Sequence, residues 1–127
     1  MGVITVMAGV AFVASQAVLR VKAPIDAANR YLDAVTRDDY QTAYGMVCHV
    51  APRESYEQYV EALQAQARAE GHLRSHDVIS ANTSGSRAAV LYDTRTDTGT
   101  DERRALMVKE NGHWTFCGAQ STRTPNH

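Results

Sequence analysis

Two cysteines, a set of aromatic residues, one strand aspartate and two nearby histidines are the side chains on which chemistry could rest. Cys48 lies in "MVCHV" and Cys117 in "HWTFCGA". With no other cysteine in the chain, they either join each other or remain two buried thiols. Joined, they close a loop of about 70 residues, which chain entropy values at roughly 4 kcal/mol. A disulfide also points to an oxidising compartment. His49 follows Cys48, but a Cys–His nucleophile needs a thiolate facing a base in space, which adjacency in sequence does not provide.

Tyr31, Tyr44, Tyr59, Tyr92 and Trp114 are the candidate ligand-binding residues. Each joins an apolar ring to a polar tip, so each suits a pocket wall or a core with a wet edge. Asp77 is the weak catalytic candidate: buried, its carboxyl would be pushed up and could serve as a base, whereas in water it is an ordinary strand residue. His72 and His76 follow Gly71 into a strand, where helical metal-ligand spacing does not apply, and no third ligand accompanies them, so no metal is expected. Asn82-Thr83-Ser84 matches a glycosylation acceptor and is read as idle. Without a Gly-rich phosphate loop, a P-loop lysine or a basic patch interleaved with aromatics, neither a cofactor nor nucleic acid is expected.

The elements that must carry these residues fall into two halves. Pro24 suits a first helical turn. Ala28, Tyr31, Leu32 and Val35 then keep helical spacing, which predicts a helix over 24–37. Asp38-Asp39 reads as a cap for a short helix over 39–48. After Pro52, Ser55 caps a third helix, "YEQYVEALQAQARAEG", closed by Gly71. Beyond Gly71 the period shortens to two. Residues 73–80, 86–96, 102–111 and 113–119 read as four strands, with Asn111-Gly112 as a hairpin turn. The charged run "DTRTDTGTDERR" at 93–104 reads as a solvated hairpin loop, and 120–127 as a flexible tail. Helices first and a meander after them define an α+β fold.

Composition bounds the rest. One domain is expected of 127 residues with 44% hydrophobic content. A net charge of −1 gives no broad electrostatic grip on nucleic acid or an anionic membrane. The cations are nearly all arginine, with Lys22 and Lys109 the only lysines; together with frequent alanine, this suggests a GC-rich bacterial genome. Residues 1–19 carry no charged side chain and read as a signal peptide cut after Ala17 or as a short anchor, with 20–23 a linker. Arg20 and Lys22 after it favour an anchor with the domain in the cytoplasm. A disulfide between the two cysteines outweighs that charge bias in favour of export, so the expected location is extracytoplasmic, secreted or membrane-tethered through 3–19.

"PIDAANRYLDAVTRDDYQTAYGMVC" resembles the opening of nuclear transport factor 2-like domains, with a long helix, a "DD" step and a short helix carrying "A-Y". The third helix and a last strand of the form W-x-F-C-G extend the resemblance over 24–119. It is similar above all to small exported or membrane-tethered bacterial proteins of actinobacterial type, including lumazine-binding-like ones. The resemblance implies a cone, about three helices packed across a curved four-stranded antiparallel sheet with a pocket between them. That superfamily hosts isomerases, cyclases, binding modules and assembly domains, so fold does not select function. No aspartate–histidine pair falls on the enzymatic motif. The expected role is therefore non-catalytic: a small apolar ligand in the cone, or a membrane-protein partner or second copy on the sheet face. An isomerase- or cyclase-type enzyme using Asp77 and a tyrosine is the alternative, and a structural subunit of a membrane complex the third.

Overall fold

The computed structural model describes residues 22–49 and 54–122. The expected leader or anchor at 1–19 and the helix breaker Pro52 lie outside them. Among the described residues no helix is long and apolar enough to cross a membrane.

Helix α1 is described over 22–36. Ala27, Ala28, Tyr31, Leu32 and Ala34 make its buried stripe, and the three alanines let its backbone lie close to the sheet. The chain leaves α1 through Asp38, whose φ is 59°. Helix α2 (Tyr40–Gly45) starts at Asp39, whose carboxylate accepts from the Thr42 N–H. It is shorter than the predicted 39–48 because residues 46–48 turn to pair with the sheet. The Phe116 N–H donates to Met46 O (2.8 Å), and the Cys48 N–H donates to Phe116 O (3.1 Å). Helix α3 (Tyr56–Glu70) is capped by Ser55 and closes at Gly71, as its sequence predicts; the structure adds a full capping box, in which the Gln58 side chain accepts from the Ser55 N–H.

Strands β1 (Leu73–Ser84), β2 (Arg87–Thr96), β3 (Gly99–Glu110) and β4 (His113–Ser121) form one antiparallel meander in the order β1-β2-β3-β4. Each turn between them has two residues. At Asn111-Gly112 both φ angles are positive, 52° and 80°, as the hairpin twist requires. β1 runs four residues past its expected end, and β4 reaches Ser121, into the expected tail. The presumed loop at 93–104 is mostly ladder, with only Asp97-Thr98 outside it. The ladder register shifts in β1 (Leu73/Ser75 and Val78/Ser80) and across β3–β4 (Ala105/Met107), the kind of local irregularity that lets a sheet bend around a core.

Strand alternation sends Ala88, Val90 and Tyr92 of β2, Ala105 and Met107 of β3, and Phe116 of β4 inward against α1. Cys48 and Cys117 form the disulfide, with Cα atoms 5.1 Å apart across a sequence separation of 69. It fixes the strand-like segment after α2 to the free edge of β4, where Val47 bridges Phe116 in parallel. The helical half and the closing strand are thus joined both by backbone hydrogen bonds and by sulfur.

Candidate functional site

Between the helices and the inner sheet face lies a cavity of about 510 Å3, within the roughly 300–1,000 Å3 of small-molecule sites. Tyr31, Leu32, Tyr92, Thr94 and Phe116 supply its buried lining. The Tyr31 and Phe116 rings stack with centroids 4.0 Å apart. Behind Tyr31, its hydroxyl and that of Tyr59 share a buried hydrogen bond of 2.7 Å. Burial pushes the Tyr59 hydroxyl up to about 12 and the Tyr31 hydroxyl further, so both stay neutral as donor and acceptor. Burial also raises Tyr92, opposed by the Arg103 guanidinium that bonds its hydroxyl.

One wall comes from the β2–β3 hairpin. Thr94 and Thr96 continue the inward parity of Val90 and Tyr92, and Asp101 and Arg103 continue that of Ala105 and Met107. Arg103 reaches Asp101 Oδ2 at 3.4 Å and donates to Ala119 O at 3.3 Å. Asp101 Oδ1 in turn accepts from the Ser121 hydroxyl at 2.9 Å. The opposite rim is built by helix ends. The Tyr40 hydroxyl donates to Asp38 Oδ1 (3.2 Å), and the His72 Nε2–H donates to the same oxygen (2.9 Å). Nearby, Gln66 donates to Glu70 at 2.9 Å.

The hairpin tip is locked to α3. Asp97 accepts from Arg74 Nε (2.7 Å) and from the His72 backbone N–H (3.1 Å), which in that order hold its carboxyl below the ordinary range. The Thr98 hydroxyl caps Glu70 O at 2.7 Å. Gly71 is required there: its φ is 91°, and a Cβ on it would lie 2.7 Å from Asp97 Cβ.

The sequence-predicted residues scatter relative to this site. Tyr31 and Tyr92 line the cavity. Tyr59 stands one hydrogen bond behind it. Tyr44 is not in the lining; its hydroxyl donates to Glu54 O at 2.6 Å. Trp114 packs against the core outside the cavity, opposite Lys109 on β3. Asp77 faces Asp93 on the outer side of the sheet and is exposed, because Val78 takes the inward slot opposite Tyr92. It has no path to the cavity. Cys48 is in the disulfide, and His49 pairs with Glu110 instead, Nδ1 to Oε1 at 3.1 Å.

Sequence reasoning placed Asp101 and Arg103 in a solvated loop, read Asp38 only as a helix cap and weighed His72 only as a metal ligand, whereas all four line the cavity. It overlooked a second histidine–aspartate pair, His76 Nε2 to Asp33 Oδ1 at 3.4 Å. The unused signal was parity: Thr94-x-Thr96 and Asp101-x-Arg103 continue the period of their apolar neighbours without being apolar. Among the described residues no three His, Cys, Asp or Glu side chains gather as a metal site.

No protein-family model and no curated protein matches the chain. Solved structures do. A Campylobacter jejuni protein named as an NTF2-like transpeptidase superposes with a TM-score of 0.56 at 11% identity, over 75% of this chain and 97% of that one. A protein of Kribbella flavida gives 0.56 at 24% identity, over 81% and 89%. An NTF2-like protein of unknown function from Cytophaga hutchinsonii gives 0.52 at 15% identity, over 80% and 92%. The chain has the nuclear transport factor 2-like fold.

Proposed function

We propose that this chain is an extracytoplasmic, non-catalytic binding domain, and that its cavity holds a small molecule with an apolar body and a polar end. The cavity of about 510 Å3, mostly apolar and aromatic where it is buried and polar at its rim, carries this reading. Such a lining desolvates an apolar body and orients it through a few polar groups. The Cys48–Cys117 disulfide supports the extracytoplasmic placement, as does the uncharged stretch at 1–19. A fragment library titrated into isotope-labelled full chain tests the binding role. Amide shifts clustered on Leu32, Tyr92, Thr94 and Ala119 are expected. Saturating shifts confined to Ile79, Leu91 and Leu106, on the other face, would contradict it.

One observation favours a second role for the outer face. Ile79 and Leu106 are 49% and 48% exposed there. They share that face with Asp77, Asp93 and Glu102, and with Arg87, Arg95 and Arg104. A patch mixing both signs with apolar side chains can pair with its own copy about a two-fold axis. We propose a homodimer through this face. Sedimentation equilibrium should show a dimer that Leu106→Glu dissociates. A wild-type monomer at tens of micromolar would instead leave the face to a membrane-protein partner.

A further inference from the structure

We propose that the ligand of this cavity is an organic cation, an apolar body bearing an ammonium group that sits at the rim. This rests on the binding reading above and adds the sign of the polar end. Three carboxylates line the cavity, Asp38, Glu70 and Asp101, against one guanidinium, Arg103. That guanidinium pairs with Asp101 and donates to the Ala119 carbonyl, so these two charges offset each other; the surplus is Asp38, which also accepts from His72 and Tyr40, and Glu70. A protonated His72 would still leave the described lining negative.

Position strengthens the bias. Asp38 and Glu70 stand at the C-terminal ends of α1 and α3, where the helix dipoles present their negative poles. An anion entering between them would meet two carboxylates and the C-terminal poles of α1 and α3, offset beside Asp38 only by the N-terminus of the six-residue α2, which Asp39 already caps. An ammonium group would meet the opposite and keep part of its water, since both carboxylates are exposed. Below the rim, the Tyr31, Tyr92 and Phe116 rings offer apolar surface for the body. The Tyr40 ring at the rim adds an aromatic surface that attracts cations.

The test uses three probes of one shape: 1-naphthylmethylamine, 1-naphthalenemethanol and 1-naphthoic acid, titrated into full chain by calorimetry. The amine should bind at least tenfold more tightly than the alcohol, with the acid weakest. The advantage should shrink between 50 and about 300 mM salt, because exposed charges are screened. Asp38→Asn/Glu70→Gln should collapse the amine-to-alcohol ratio below threefold; Glu70→Gln alone, at an exposed helix end, should lower it partway. Equal or tighter binding of the acid, or a ratio unmoved in both variants, overturns the cation assignment while leaving the cavity reading intact. Ala67→Trp, which fills the cavity from α3, should abolish binding of all three. Alcohol binding that survives this change, or no binding of any probe to the wild type at millimolar concentration, overturns both.

Discussion

Replacing both cysteines by alanine removes a single covalent link, and its effect follows from the loop it closes. The link spans 69 residues, and chain entropy assigns such a loop about 4 kcal/mol. Domains of this size hold roughly 5–15 kcal/mol in all. The double variant should therefore fold but lose a large share of its stability. The backbone bonds Met46–Phe116 and Cys48–Phe116 remain in place to keep the segment on β4. With a urea slope of about 2 kcal/mol per molar, the unfolding midpoint should drop by about 2 M. The slope should also rise, since an unlinked denatured chain exposes more surface. Urea titration followed by far-UV circular dichroism measures both. A midpoint shift under about 0.5 M, with an unchanged slope, would refute the claim that this link constrains the unfolded chain.

Other outcomes follow from particular contacts. Gly71→Ala should cost at least about 2 kcal/mol, because its φ is 91° and the new methyl meets Asp97 at 2.7 Å. Gly112→Ala, strained in φ but open in space, should cost only about 1 kcal/mol; equal losses in urea titration would remove the argument for a close approach. Tyr31→Phe should cost about 1–3 kcal/mol by leaving the Tyr59 hydroxyl without its partner, and adding Tyr59→Phe should cost less than the two single losses summed. Because burial raises Tyr31 and Tyr59, the folded chain keeps protons that the unfolded chain releases near 10. Their contribution is complete below pH 10 and is lost as pH rises toward 12. Absorbance at 295 nm should therefore show fewer than six tyrosines ionising before the fold is lost. Glu110 is held below the ordinary carboxylate range by the His49 ring and then by the His49 backbone N–H. Its contribution is present above about 4.5 and disappears as pH falls through the lowered value. Glu110→Gln should flatten the acid limb of the stability curve, as urea midpoints between pH 2.5 and 6 would reveal.

What could be read from the chain depended on how local the cause was. The Ser55 cap, the Gly71 stop and the Asn111-Gly112 turn act within four residues, and each appears where the sequence places it. The cysteine pair could be anticipated because no other partner existed. The cavity wall was harder. A hydrophobic period marks inward positions only where they are apolar, and at the cavity the inward slots hold Thr94, Thr96, Asp101 and Arg103. Polar alternation there resembled a loop. Asp38–His72 and Asp33–His76 are separated by 34 and 43 residues, so they meet only because α1 docks over β1. The face of Asp77 turned on strand register, in which one step reverses every side chain. Trp114 and Tyr44 showed the right chemistry, but packing sent one to the core and the other to the Glu54 carbonyl.

The central claim is that the space between the helices and the inner sheet face is where this protein holds its ligand. Native mass spectrometry of the full chain purified from its own cells, beside the Ala67→Trp variant prepared the same way, tests it most directly. The account predicts a small-molecule adduct, basic in character, on the wild type and its absence from the variant. An adduct retained equally by both, or a wild type that emerges bare under conditions preserving non-covalent complexes, would contradict it.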